Sequence, residues 1–160
     1  RSYCTVGARF FSALQSEALD HHPAVIMAAA APISNKRLAK EASKWANSQD
    51  QVGELEVVSE HEWIVTFEGA VDTLYAGEVY RLRLQFPKKY PMDSPIVTFV
   101  APAPVHPHIY SNGHICLSIL YDEWSPAMQV AQVVLSILSM LSSSTVKMPP
   151  EGDADYVQRV

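Results

Sequence analysis

Residues 79–86 read VYRLRLQF. Tyr80, Leu82, Leu84 and Phe86 fall on one side of an extended chain and Arg81, Arg83 and Gln85 on the other, the period-two alternation of a strand with one face buried. The runs on either side agree with it. ELEVVSE (54–60) begins with charged and apolar residues alternating, WIVTF (63–67) is β-branched and aromatic, and IVTFV (96–100) closes the series. Between them lie EGAVDTLYAGE and PKKYPMDSP, rich in Gly, Pro and Asp. Loops this short join antiparallel neighbours, because parallel neighbours need a crossover of a dozen residues or more. The pattern predicts a four-stranded antiparallel meander.

Helical signals flank the strands. In SNKRLAKEASKWANSQ, Ser34 stands as an N-cap and Leu38, Ala42 and Trp45 recur at helical spacing, which predicts a helix over 35–47. Lys36, Lys40 and Lys44 share one face with Arg37 beside them; taken alone, such a run is a solvated face. In SPAMQVAQVVLSILSMLSS, Ser125 reads as the N-cap and Pro126 as the first helical residue. Val130, Val134, Leu138 and Leu141 form a stripe that Val133, Ile137 and Met140 broaden, so this helix must be largely buried. The fold class is therefore α+β.

The chain has 160 residues, enough for one domain with a sizeable core. Its 48% hydrophobic and 18% charged content describes a globular protein. A net charge of −5 argues against a general nucleic-acid-binding surface, which needs a positive field. No apolar run approaches the roughly 18–20 residues that span a bilayer, so neither nucleic acid nor membrane is an expected partner. Cys4 and Cys116 are the only cysteines, which argues against a disulfide framework and favours a reducing compartment. Residues 1–33 lack a sustained period and read as a poorly structured extension ahead of a core domain at 34–160. Arg1 in place of methionine suggests a fragment or a processed product, and Glu17 and Asp20 are atypical of a transit peptide.

After the fourth strand the period is lost. APAPVHPHIYSNGHICLSIL (101–120) combines prolines, a Ser-Asn-Gly turn and few periodic signals, and long irregular segments in compact domains are often functional. It holds Cys116 within ten residues of His106, His108 and His114. Three chemistries use such a set. Zinc would take these elements, but the spacing lacks a tight paired knuckle, and no metal site is expected. A Cys-His hydrolase needs a histidine oriented by a third polar group; His61 is the only other histidine in the core, and nothing marks such a partner. A cysteine that receives an activated acyl group and passes it to an amine needs an accessible thiol, a groove and a donor near the developing oxyanion.

These residues resemble the ubiquitin-conjugating enzymes, from about residue 34 to 158. NKRLAKE, FPKKYPMDSP, HPH ten residues ahead of Cys116, NGHICLSIL, Trp124 and SPAM occur in family order. HPHIYSNGHICLSIL, with histidine where most members have asparagine, is similar to the W-type subgroup. The resemblance implies a basic first helix, a meander, an active-site loop and a buried central helix, with the C-terminal helical part cut short. It implies that Cys116 forms a thioester with the C-terminal glycine of ubiquitin. His106, Pro107 and Asn112 would support the loop, and His108 would take the asparagine's place near the oxyanion, since a neutral imidazole donates one hydrogen bond.

The same resemblance assigns surfaces and partners. Met92, Pro126 and Ala127 match positions that meet RING or U-box ligases, and Lys36, Arg37 and Lys40 match those that meet the ubiquitin-activating enzyme. Trp124 reads as packing. ATP is consumed by the activating enzyme, so no cofactor is implied here; the setting implied is cytoplasmic or nuclear. Many members carry an acidic residue two positions after the cysteine and an acidic loop after the buried helix. Here Ser118 and SSSTVKM stand instead. A lysine amine (pKa about 10.4) costs ~3.4 kcal/mol more to deprotonate than an α-amine (about 7.7–8.0). A site without an acidic gate therefore favours the N-terminal α-amine of a protein substrate. The alternative class is a noncatalytic adaptor of the same fold that binds ubiquitin or a partner enzyme.

Overall fold

The structure, a computed structural model, describes residues 35–48 and 52–160. The predicted extension at 1–33 and the Ser34 cap lie outside the described residues.

The chain runs α1 (Lys36–Asn47), β1 (Glu54–Ser59), β2 (Glu62–Glu68), β3 (Val79–Gln85), β4 (Ile96–Phe99), a short 3-10 turn (Ser118–Leu120), α2 (Val130–Ser142) and α3 (Asp153–Arg159). Asn35 caps α1: its side-chain oxygen accepts the N–H groups of Arg37 at 2.9 Å and Leu38 at 3.4 Å. Such a cap is worth about 1 kcal/mol. Leu38, Glu41 and Trp45 turn inward, while Lys36, Lys40 and Lys44 are exposed.

The four strands form one antiparallel sheet in sequence order, as the meander requires. In β3 the alternation is strict, with Tyr80, Leu82 and Leu84 buried and Arg81, Arg83 and Gln85 exposed. β2 departs from it at Ile64, which stands on the polar face between cross-strand partners Glu56 and Arg83 and is still only 4% exposed. Long charged side chains cover apolar surface with their stems, so a sheet face that reads as polar can bury an isoleucine.

One hydrophobic cluster joins the inner face of the sheet to Leu38 and Trp45 of α1 and to Val130, Val133, Val134, Ile137 and Leu141 of α2. The composition of α2 is a poor helix former, since valine, isoleucine and serine each cost roughly 0.5 kcal/mol against alanine. Burying its five core side chains returns roughly 1.5–3 kcal/mol apiece, so packing decides the element.

The expected start of α2 is corrected. Ser125 and Pro126 do not open the helix; they form a turn, closed by Met128 N–H donating to the Ser125 carbonyl at 2.9 Å. Gln129 is the cap, in a reciprocal pairing with Gln132. The Val130 N–H, otherwise without a helical acceptor, donates to Glu41 Oε2 at 2.6 Å. Competition for that N–H, together with Arg37 donating to the Met128 carbonyl at 2.6 Å, fixes the boundary from another element.

Beyond α2 the segment 143–152 leads into α3, a short helix whose residues are all at least partly exposed.

Candidate active site

The segment around Cys116 is not the irregular loop that its sequence suggests. Tyr110 N–H donates to the His114 carbonyl at 2.9 Å and Cys116 N–H to the His108 carbonyl at 2.8 Å, flanking a bridge between Ile109 and Ile115. This is a small hairpin with Asn112 at its tip. The Asn112 side chain accepts the His114 N–H at 3.1 Å, and Gly113 turns the chain at φ +88°. A Cβ on Gly113 would lie 2.2 Å from the Phe99 carbonyl oxygen, so glycine is required twice over.

Side chains alternate across an extended pair. Ile109 and Ile115 point into the core, 2% and 1% exposed. His108, Tyr110, His114 and Cys116 therefore share the outer face, with His108 opposite Cys116 and Tyr110 opposite His114. Both His108 and the free thiol of Cys116 are exposed.

His106 sits beneath this hairpin, 2% exposed. Its Nδ1 accepts the His108 backbone N–H at 2.9 Å, which leaves the proton of the neutral ring on Nε2, where the Met140 backbone is the partner. Burial, with the His108 imidazole as neighbour, holds its pKa below the ordinary histidine value. His106 is thus a neutral peg, with no nitrogen free to take a proton from Cys116. Tyr75 supports the approach to it by donating its hydroxyl to the Val105 carbonyl at 2.8 Å. His61 lies in the turn between β1 and β2. Among the described residues, no group of three or more His, Cys, Asp or Glu side chains is arranged to hold a metal ion.

A cleft of about 330 Å³ opens beside His108, walled by His106, Pro107 and His108 on one side and by Met140 and residues 143–146 on the other. On the far side of Cys116, the Tyr121 hydroxyl donates to the Ile115 carbonyl at 2.9 Å. Ser118 donates to Glu123 Oε2 at 2.6 Å, and the Glu123 N–H returns to the Ser118 carbonyl at 3.1 Å. A carboxylate thus reaches the position two residues after the cysteine across the 3-10 turn. Sequence reading missed it because Glu123 is five residues away, beyond a 3-10 turn.

The two further groups of residues lie on other elements than the thiol's hairpin. Met92 is 69% exposed, and Pro126 and Ala127 are exposed on the neighbouring loop. Trp124 joins these two loops, donating its indole N–H to the Pro91 carbonyl at 2.9 Å. On α1, Lys36 and Lys40 face solvent, but Arg37 turns inward, pairing with Glu41 and with the Met128 carbonyl. Glu41 also accepts the Tyr90 hydroxyl at 2.9 Å, which makes it the junction between α1, the Tyr90 loop and α2.

An α+β domain with an N-terminal helix, a four-stranded meander and an exposed thiol on a pegged hairpin defines a class, and comparisons agree. The sequence model of the family described as ubiquitin-conjugating enzyme matches residues 37–159. The probable ubiquitin-conjugating enzyme E2 17 of Arabidopsis thaliana is 50% identical over 128 residues, 79% of each chain. The ubiquitin-conjugating enzyme E2 W of Caenorhabditis elegans is 58% identical over 98 residues, 61% of this chain and 64% of its own. The crystal structure of the ubiquitin-conjugating enzyme E2 UbcA1 from Agrocybe aegerita superposes with a TM-score of 0.76 at 40% identity, covering 81% of this chain and 96% of that one. This chain belongs to the ubiquitin-conjugating enzyme family, and W-type enzymes are among its relatives.

Proposed function

We propose that Cys116 is the carrier cysteine and that it prefers the N-terminal α-amine of a substrate protein as acceptor. The observation that supports this reading best is the pairing of His108 with Cys116 on the exposed face of one hairpin. The Cys116 thiolate attacks the thioester carbonyl of ubiquitin on the activating enzyme; a new S–C bond forms and the activating enzyme's thiolate leaves. An amine then attacks the same carbonyl, the bond to Cys116 breaks, and the nitrogen loses its proton to water. The His108 imidazole donates to the oxygen that becomes negative in both steps, the role of an oxyanion donor. His106, Pro107 and Asn112 hold the hairpin in register.

The acceptor enters through the cleft beside His108. Its far wall offers Ser143, Ser144 and Thr145 hydroxyls and no carboxylate. Lys147, in the same segment, is occupied with Glu78 and lies over the Tyr75 ring. Such a wall does little to deprotonate a lysine, and an α-amine needs less help. The Glu123 carboxylate already accepts the Ser118 hydroxyl, and that of Glu78 is paired with Lys147.

Lys36 and Lys40 meet the activating enzyme directly, with Arg37 shaping that face from within. Met92, Pro126 and Ala127 meet a RING or U-box ligase. The test is a charging reaction with activating enzyme, ATP and ubiquitin, followed by discharge onto a peptide with a free N-terminus or onto free lysine. Faster discharge onto the α-amine supports the preference; equal rates refute it. An adaptor role would show as binding without any thiol-sensitive adduct.

A further inference from the structure

Two side chains on the outer face of the hairpin, Tyr110 and His114, have no part in the transfer chemistry, yet both are gripped. The grip comes from α3. This helix buries no residue, so core packing does not explain where it lies. Three contacts do. The Tyr156 ring stacks on Tyr110 with centroids 3.8 Å apart and planes 19° apart. The Tyr156 hydroxyl lies 3.0 Å from His114 Nδ1, and Asp153 Oδ1 accepts the Ser111 N–H at 2.8 Å. Both arms of the hairpin and its tip are thereby held from outside, as His106 holds it from within.

We propose that α3 is a latch on the active-site hairpin, and that Tyr156 and Asp153 are positioning residues for transfer out of the thioester. The proposal rests on the reading of Cys116 as carrier. The geometry gives the reason. Tyr156 bridges the cross-strand pair Tyr110–His114, the neighbour on the same face of the pair His108–Cys116. The hairpin has a single bridge between its arms near the thiol, and its His108 N–H is spent on His106 rather than on the opposite arm. The second arm is also tied to β4, by the His114–Thr98 bridge and by the Phe99 N–H donating to the Gly113 carbonyl at 2.9 Å, whereas Tyr110 and Ser111 of the first arm are held by α3. Two-stranded hairpins are marginal by themselves, so this clamp on the His108 arm sets how constantly the His108 imidazole faces the carbonyl on Cys116. Misplacement of a catalytic donor lowers the rate of the chemical step without changing how tightly the acceptor binds.

The experiment uses the full chain, charged with ubiquitin and discharged onto a peptide bearing a free α-amine over a range of concentrations. Tyr156→Ala is expected to lower the maximal discharge rate about 10-fold with the half-saturating peptide concentration unchanged. Tyr156→Phe keeps the stacking and loses the hydroxyl, and is expected to fall between Tyr156→Ala and the parent chain. Asp153→Ala is expected to slow discharge in the same way. Melting temperatures within a few degrees of the parent distinguish a latch from a folding defect, and should Tyr156→Ala melt early, Tyr156→Phe and Asp153→Ala decide. Unchanged maximal rates in these variants, or a rise in half-saturation alone, would overturn the latch. A parent chain that never charges refutes the carrier reading and the latch with it, whereas normal charging with unaltered variant discharge refutes the latch only.

Discussion

Nδ1 of the buried His106 accepts the backbone N–H of His108 at 2.9 Å, so a neutral ring is built into the support of the hairpin that carries Cys116. Protonating that nitrogen would turn an acceptor toward a donor and break the contact. Burial lowers the folded-state pKa beneath that of the unfolded chain, near 6.5. As pH falls below about 6.5 the unfolded state takes up a proton that the folded state refuses, so stability present at neutral pH is lost on acidification. Melting temperatures measured from pH 7.5 to 5.5 are expected to fall, and the fall to be shallower in His106→Gln. An equal slope in the two proteins would assign the pH dependence to other groups.

Glu41 carries the largest stability prediction. Its carboxylate is 6% exposed and is shared by Arg37, Tyr90 and the Val130 N–H. Glu41→Ala leaves the Tyr90 hydroxyl and the Val130 N–H without their acceptor and takes from Arg37 its carboxylate partner, though not the Met128 carbonyl, a loss of about 2–5 kcal/mol. Glu41→Gln keeps an acceptor and is expected to cost less. Urea denaturation curves of the two variants measure the difference; a loss under 1 kcal/mol for Glu41→Ala would contradict the junction role.

Trp124→Phe removes the N–H that ties the Pro126 loop to Pro91 while retaining most of the ring's packing. The expected stability cost is about 1 kcal/mol. The larger expected effect is on ligase-stimulated discharge, because the spacing between Met92 and Pro126 is no longer held. Discharge without ligase is expected to persist. Equal losses in both reactions would make Trp124 a packing residue alone.

Ser118→Asp tests acceptor choice. It places a second carboxylate beside Glu123, and like charges at that distance raise the pKa of one of them, making a better base near neutral pH. The ratio of lysine to α-amine discharge is expected to rise several-fold. An unchanged ratio would separate acceptor preference from this position.

Local periodicity carried much of the fold. The alternation of residues 79–86 and the stripe from Val130 to Leu141 are local patterns, and β3 and the buried α2 follow them. What was hidden depends on contacts distant in sequence. The hairpin at 108–116 shows only Ile109 and Ile115 as apolar alternation, too few to read as strands. The start of α2 was misplaced because Ser125-Pro126 is a sound local signal, outweighed by Glu41 from α1. Ile64 on the polar face and Tyr156 over Tyr110 have no local signature at all, and Glu123 meets Ser118 only because a 3-10 turn folds the chain between them. The proposal for Cys116 rests on the motif that surrounds it in the sequence.

The most direct test is intact-mass measurement of the chain after incubation with activating enzyme, ATP and ubiquitin. A single added ubiquitin less one water, removed by excess thiol and absent in Cys116→Ala, is the expected result. No adduct, or a thiol-resistant one that persists in Cys116→Ala, would contradict the assignment of Cys116 as the carrier.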